Sequence, residues 1–434
     1  MEIYTYLCTI MKTRKVLILS LLLAVLCGCE RGEMGYSFRD EAVNGNIVIF
    51  YSAVANNGLG GYISQNLKTI SEGVLPQDGS KKVLLVYNHA TADESYLTRL
   101  FRNSEGLIAS DTLHTVAAGR AGASAEVITE VLSAVKAAYP GGRYTLILSS
   151  HGSGWMPVGA FNGYISYPAP MRAPAGAGQD AFPIRQKGPV TKSFGTEKIN
   201  GTYCEINIQD LSAAIPMHLD CLVFDACFMG GVEVAWEFRG VTDKMCFSPA
   251  EVPGNGYIYT NFAKELISDA SCPEDFARTY FEYYEQAFVS GTGTDASYGA
   301  TSTAIDCTKM DALAKVCKKL FEKYRSAIAA LPRGSVQPYF RAAGYYNFDE
   351  PFFFDLEDIL IQAGMTRSER TELEAALDEC ITYKGATSAF MPRYGGFQIS
   401  IYSGLSMYLP SCGSTSLDAY YKTLGWNMAT SLVE

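Results

Sequence analysis

LILSSHGSGW (Leu146–Trp155) and CLVFDACFMGG (Cys221–Gly231) share one design: an apolar, β-branched run that closes in small residues. Such a run reads as a strand buried on both faces, the kind found inside parallel sheets. Each delivers one reactive side chain, His151 or Cys227, to its carboxyl end, which is where open α/β sheets carry their chemistry. A thiol and an imidazole that meet there form a nucleophilic pair.

Working outward, the same alternation continues on both sides. NIVIFYSA (Asn46–Ala53) and KKVLLVYN (Lys81–Asn88) read as strands, with a helix around Tyr62 to Ile70 between them and an edge strand around Gly106 to His114. SAEVITEVLSAVKAA has apolar residues at helical spacing behind Ser124, a good N-cap, and leads into the His151 strand. Strand, helix, strand order predicts an α/β fold with a mostly parallel central sheet. Residues 156–203, rich in Pro, Gly and Ala, read as a long loop. After it come a short helix (Asn207 to Ile215), the Cys227 strand, a helix from Met229 to Phe238, the strand KMCFSPA and a helix from Pro273 to Phe288. The catalytic core is expected over 46–296. Residues 297–434 are expected as an additional C-terminal α+β part packed on it, with a long helix from Met310 to Ala329.

The totals narrow the class. Of 434 residues, 48% are hydrophobic and 18% charged, the balance of a folded globular chain. A net charge of −10 argues against nucleic acid or anionic lipid as a partner and permits a cationic substrate. From Met11, a basic start (Lys12, Arg14, Lys15) and the apolar run Val16 to Leu26 make a signal-peptide pattern. Leu26-Cys27-Gly28-Cys29 resembles a bacterial lipobox, so residues 1–28 read as leader with translation starting at Met11. Cys29 is then the lipidated first residue, and 29–45 a tether. This predicts a cell-envelope protein anchored by lipid, periplasmic or surface-exposed. Nine of the 12 cysteines lie beyond the lipidated Cys29, an odd number, and no spacing among them suggests a metal site. No organic cofactor is expected.

Thiol chemistry needs a thiolate, a base and N–H donors for an oxyanion. Cys227 precedes Phe228-Met229-Gly230-Gly231 and a predicted helix, so the helix N-terminus is expected to lower its pKa. The N–H groups of Gly152 and Cys227 are the candidate oxyanion donors.

SSHGSGW, FDACFMGGVEVAWEF and SPAEVPGNGYIY together resemble the clostripain family of cysteine peptidases, relatives of caspases, gingipains and legumain. IFYSAVANNGL, FFDLEDIL and GLSMYLP extend the likeness over most of the mature chain. The resemblance implies a caspase-like α/β/α sandwich, with His151 as general base and acid and Cys227 as nucleophile. It implies cleavage after Arg or Lys in protein or peptide substrates, and gives Asp225, two residues before the nucleophile, to the pocket for that side chain. A carboxylate facing a guanidinium makes a charge-assisted pair. The family tends to cut itself between His and Cys, where Arg172, Arg185, Lys187, Lys192 and Lys198 are candidate sites. Ser248-Pro249-Ala250-Glu251 supplies one acid where the family often has two, and Tyr257 stands where Trp is common, which leaves calcium dependence open. Glu251 reads as a solvated loop carboxylate, with a pocket or ion contact as the alternative. The rival readings are a non-catalytic cell-envelope binding lipoprotein that keeps the fold, and a transferase using the same thiol.

Overall fold

Eight consecutive buried residues, Asn46–Ala53, make β1, an interior strand of a nine-stranded sheet. The computed structural model describes residues 45–158, 194–260, 266–267, 273–293, 295–341, 352–413 and 415–434. The leader, Cys29 and the tether up to Asn44 lie outside the described residues, as do Arg172, Arg185, Lys187 and Lys192.

In chain order the strands after β1 are β2 (Val83–His89), β3 (Ser95–Arg102), β4 (Ile108–Val116) and β5 (Arg143–Ser149). A hairpin follows, β6 (Phe194–Ile199) and β7 (Thr202–Ile206), and then β8 (Leu219–Asp225), β9 (Thr242–Phe247) and β10 (Thr301–Asp306). Beyond these lie the short β11 (Phe354–Asp355), β12 (Ile381–Ala386) and the two-residue β13 (Ala389–Phe390), β14 (Phe397–Gln398) and β15 (Ser406–Met407).

The main sheet runs β12-β10-β9-β8-β5-β1-β2-β3-β4. Its centre, β9-β8-β5-β1-β2, is parallel throughout, and antiparallel strands are added at both edges. Parallel strands are buried on both faces, which is why β1, β5 and β8 carry near-continuous apolar runs. The alternation of β1 splits the core in two. Ile47, Ile49 and Tyr51 pack with the helix α2 (Ala125–Ala138), α4 (Val232–Phe238) and α6 (Met310–Ala329) on one face. Val48 and Phe50 pack with α1 (Gly60–Glu72) and α5 (Pro273–Ser290) on the other. The short α3 (Ile208–Ala213) precedes β8. Ser124 caps α2 as its position suggests, accepting from the Val127 N–H.

Three expectations change. The 156–203 loop ends early: from Phe194 the chain is a hairpin, because Glu197 is buried and accepts the N–H groups of Ala55 and Ala123. The boundary at 296/297 does not divide core from appendage, since β10 and β12 complete the sheet and cover the edge of β9. The strand β3, between β2 and the predicted edge strand, carries Arg99 and Arg102, so it lacks the apolar run that marks β1 or β8.

Candidate active site

β5 and β8 lie side by side in parallel, with Thr145 opposite Cys221 and Ser149 opposite Asp225. Two residues past these partners come His151 and Cys227. The backbones stay together past the strand ends: Ser150 N–H donates to the Asp225 carbonyl at 3.3 Å. A Cβ placed on Gly152 would stand 2.5 Å from the Cys227 carbonyl oxygen and 3.2 Å from its nitrogen, so only glycine fits this approach.

His151 and Cys227 line one cleft of about 350 Å³, counting the space open to solvent, together with Asp225, Ser149 and residues 252–254. Helix α1 supplies the opposite wall through Leu59, Tyr62, Ile63 and Asn66. Gly152 bridges Phe194, but the bond in that bridge runs from Gly195 N–H to the His151 carbonyl, so the Gly152 N–H points away from the hairpin. Neither Gly152 nor Cys227 gives its N–H to another described residue. Two adjacent unfilled donors are what an oxyanion needs.

The loop after β8 holds the nucleophile tightly. Phe228 donates its N–H to Ala250 at 2.9 Å, Gly230 to Ser248 at 2.8 Å, and Ser406 donates to the Gly230 carbonyl at 2.9 Å. Phe228 has φ +62°, a left-handed conformation that is costly for a bulky residue. Its ring is locked by stacking on Phe353 with centroids 4.7 Å apart and by Phe340 at 5.3 Å. Strain next to the reactive sulfur is thus held by the C-terminal part of the chain.

One expectation fails here. The helix does not begin at the nucleophile, because Gly230 and Gly231 are tied to Ser248 and Ser406, and α4 starts only at Val232. Burial therefore decides, pushing the Cys227 thiol up to about 12, with the Glu251 carboxylate adding to the shift and a Val252 N–H bond and Arg341 opposing it. The Sγ accepts from Val252 N–H at 3.4 Å and lies 3.7 Å from the Val252 carbonyl, which takes an S–H donor. Both the burial and the bond to the Val252 carbonyl favour the protonated thiol.

Glu251 is not a solvated loop carboxylate either. It is buried and paired with buried Arg341, Oε2 to Nε 2.6 Å. Nothing near Glu251 in sequence signals the distant Arg341. Tyr257, in the place of the expected Trp, fills that role by stacking between Phe276 at 5.0 Å and Tyr280 at 4.4 Å.

Asp225 sits at the cleft floor, buried. Its Oδ2 accepts from Ser149 Oγ at 3.1 Å and Tyr259 OH at 2.7 Å, and the carboxylate also takes the Tyr257 N–H. Burial raises its pKa while these bonds lower it. Lys198 lies within β6, with its N–H bonded to Ala55 and its carbonyl to Asn56, so its peptide is not presented as a cleavage site. Beyond the dyad, His89 at the carboxyl end of β2 bonds Glu197 of the hairpin, both buried. Among the described residues no cluster of His, Cys, Asp or Glu is arranged to hold a metal ion. No described helix is long and apolar enough to cross a membrane, and the eight described cysteines are free thiols.

A sequence profile of the clostripain family matches residues 51–162 and 178–431. No curated protein matches the chain. Among solved structures it is similar to an inactive zymogen C11 protease from Parabacteroides distasonis, at 25% identity and TM-score 0.70, over 88% of this chain and 97% of that one. It is also similar to a secreted C11 cysteine protease from Bacteroides thetaiotaomicron in complex with an irreversible peptide inhibitor, at 22% identity and TM-score 0.70, over 89% and 99%. With its profile match running from β1 to the last helix and a thiol and imidazole meeting at the carboxyl end of the sheet, the chain belongs to the clostripain family of cysteine peptidases.

Proposed function

We propose that this protein is a lipid-anchored, extracytoplasmic endopeptidase that cleaves after basic residues and is latent until the segment between His151 and Cys227 is cut. The observation that carries the reading is the lining of one cleft, which brings together His151, Cys227 and the buried Asp225 carboxylate, with Gly152 packed against the Cys227 backbone. In the working enzyme His151 takes the thiol proton, the thiolate attacks the carbonyl carbon, and Gly152 and Cys227 N–H groups hold the oxyanion. His151 returns the proton to the leaving amine, and water releases the acyl group from sulfur. The reaction runs on protein groups, without a cofactor.

Latency is supported by the resting thiol, whose proton is retained by burial and by Val252. Arg172, Arg185, Lys187 and Lys192 are the candidate cuts, in the segment between β5 and β6. The anchoring reading rests on the lipobox ending at Cys29 and on the leader before it.

The test compares purified wild type with Cys227→Ala by intact mass, then assays both on fluorogenic peptides bearing Lys, Arg, Asp or Asn before the scissile bond. Fragments in wild type alone, and turnover confined to Lys and Arg peptides, are expected. Identical fragments in both proteins refute self-processing, and turnover confined to Asp or Asn refutes the basic specificity.

A further inference from the structure

The cleft lining holds a second polar group that the dyad does not use. Asn66, on α1 one turn beyond Tyr62, is only 8% exposed and lines the same cleft as Asp225. Its side-chain amide makes no hydrogen bond to any described residue. A polar amide on the lining of the cleft can exchange water for a ligand group.

Asp225 offers less than its charge suggests. An ionised carboxylate has about four acceptor positions, and Ser149, Tyr259 and Tyr257 take three of them, two on Oδ2. A guanidinium fork needs an open position on each oxygen, and Oδ2 has none left. An ammonium is a compact charge whose three donors seek separate acceptors, so one position on Asp225 suffices and a neighbouring amide oxygen takes another donor. Apolar groups of Leu59, Tyr62, Ile63 and Val252 line the walls, matching a four-carbon stem.

We infer that Asn66 is a specificity-determining residue whose amide oxygen, with the one open position on Asp225, selects lysine over arginine before the scissile bond. This deepens the proposed function and rests on its reading that the cleft takes a basic side chain.

The test uses peptides identical except for Lys, Arg or norleucine before the cut, and full-length protein activated by trypsin that is then blocked with a serine-protease inhibitor. For wild type, kcat/KM on the Lys peptide should exceed that on the Arg peptide by about tenfold, the worth of one good hydrogen bond. Asn66→Leu should lower the Lys value by about tenfold through KM, with kcat and the Arg value little changed, while Asn66→Asp keeps the acceptor and the Lys preference. Titration of Cys227 with a thiol reagent counts folded sites in each variant. Arg turnover equal to or above Lys in wild type overturns the inference and leaves the basic reading standing, as does an unchanged Lys KM in Asn66→Leu. Should Asn66→Leu fail to fold, the wild-type ratio and Asn66→Asp decide alone. Equal turnover of the norleucine peptide overturns the basic reading itself.

Discussion

Two loops leave the sheet at the same end, after β5 and after β8, and they are held in different ways. The Cys227 loop is clamped by backbone bonds to Ser248, Ala250 and Ser406 and by an aromatic stack on Phe228. The His151 loop makes one backbone bond to the hairpin, from Gly195, and the hairpin in turn is fastened by the buried pair of His89 and Glu197. The Cys227 loop is fixed mainly by backbone bonds to several segments, while the His151 loop is anchored by Trp155, buried against Phe353, Tyr408 and Tyr421, and borders a strand that follows directly on the basic-rich segment. A cut in that segment, as proposed, would act on the His151 side.

The contact between the two loops at Gly152 is the place to break them both. A methyl group at 152 meets the Cys227 carbonyl at 2.5 Å, and that backbone is held by its own bonds, so it is Gly152 that shifts and takes its N–H out of line. Gly152→Ala should lower kcat of the activated enzyme by about 100- to 1,000-fold, the usual cost of one oxyanion donor, with little change in KM. Steady-state kinetics on a basic peptide checks this, and a loss confined to KM would mean that Gly152 serves only packing.

The hairpin tie comes next in size. Glu197 accepts from Ala55 and Ala123 and meets His89, all out of water. Glu197→Gln puts an amide nitrogen against at least one of these donors, leaving a buried group unsatisfied at about 1 to 3 kcal/mol. Denaturant unfolding should show that loss. Limited proteolysis should show the hairpin opening before the Cys227 loop does, and equal protection of the two loops would contradict the asymmetry.

This asymmetry explains how much could be read from the chain. β1, β5 and β8 were legible because burial on both faces writes itself locally as an unbroken apolar run, and the glycines after His151 stand next to the residue they serve. β3 carries Arg99 and Arg102 and lacks that run, so it escaped the same reading. The hairpin was hidden because its stability comes from Glu197 binding distant backbone N–H groups, which no local period reports. Asn66 and Arg341 reach the site only through the docking of α1 and of the chain before residue 342, and neither has a signature in its own neighbourhood. The thiol was misjudged for a related reason. The sequence pattern promised a helix N-terminus at Cys227, but two glycines tied to other segments delay it to Val232, and burial then outweighs the missing dipole.

That last point yields the smallest of the expected effects. The reactive form of Cys227 is the thiolate, and a thiol held at about 12 has almost none at neutral pH. Alkylation of the uncut protein should therefore be slow at pH 7 and rise about tenfold per unit as pH increases, with no plateau before pH 10. After burial, Glu251 is the largest contributor to the shift and Arg341 opposes it. Glu251→Gln removes the negative charge and keeps an acceptor for Arg341, so both changes favour the thiolate. A drop of one pKa unit makes alkylation at pH 8 about tenfold faster. Iodoacetamide kinetics followed by mass at Cys227 reads this directly, and Arg341→Met should move the rate in the opposite direction. Equal rates in wild type and Glu251→Gln would mean that burial alone holds the proton, and that the clamp on the Cys227 loop keeps the thiol latent without help from the buried ion pair.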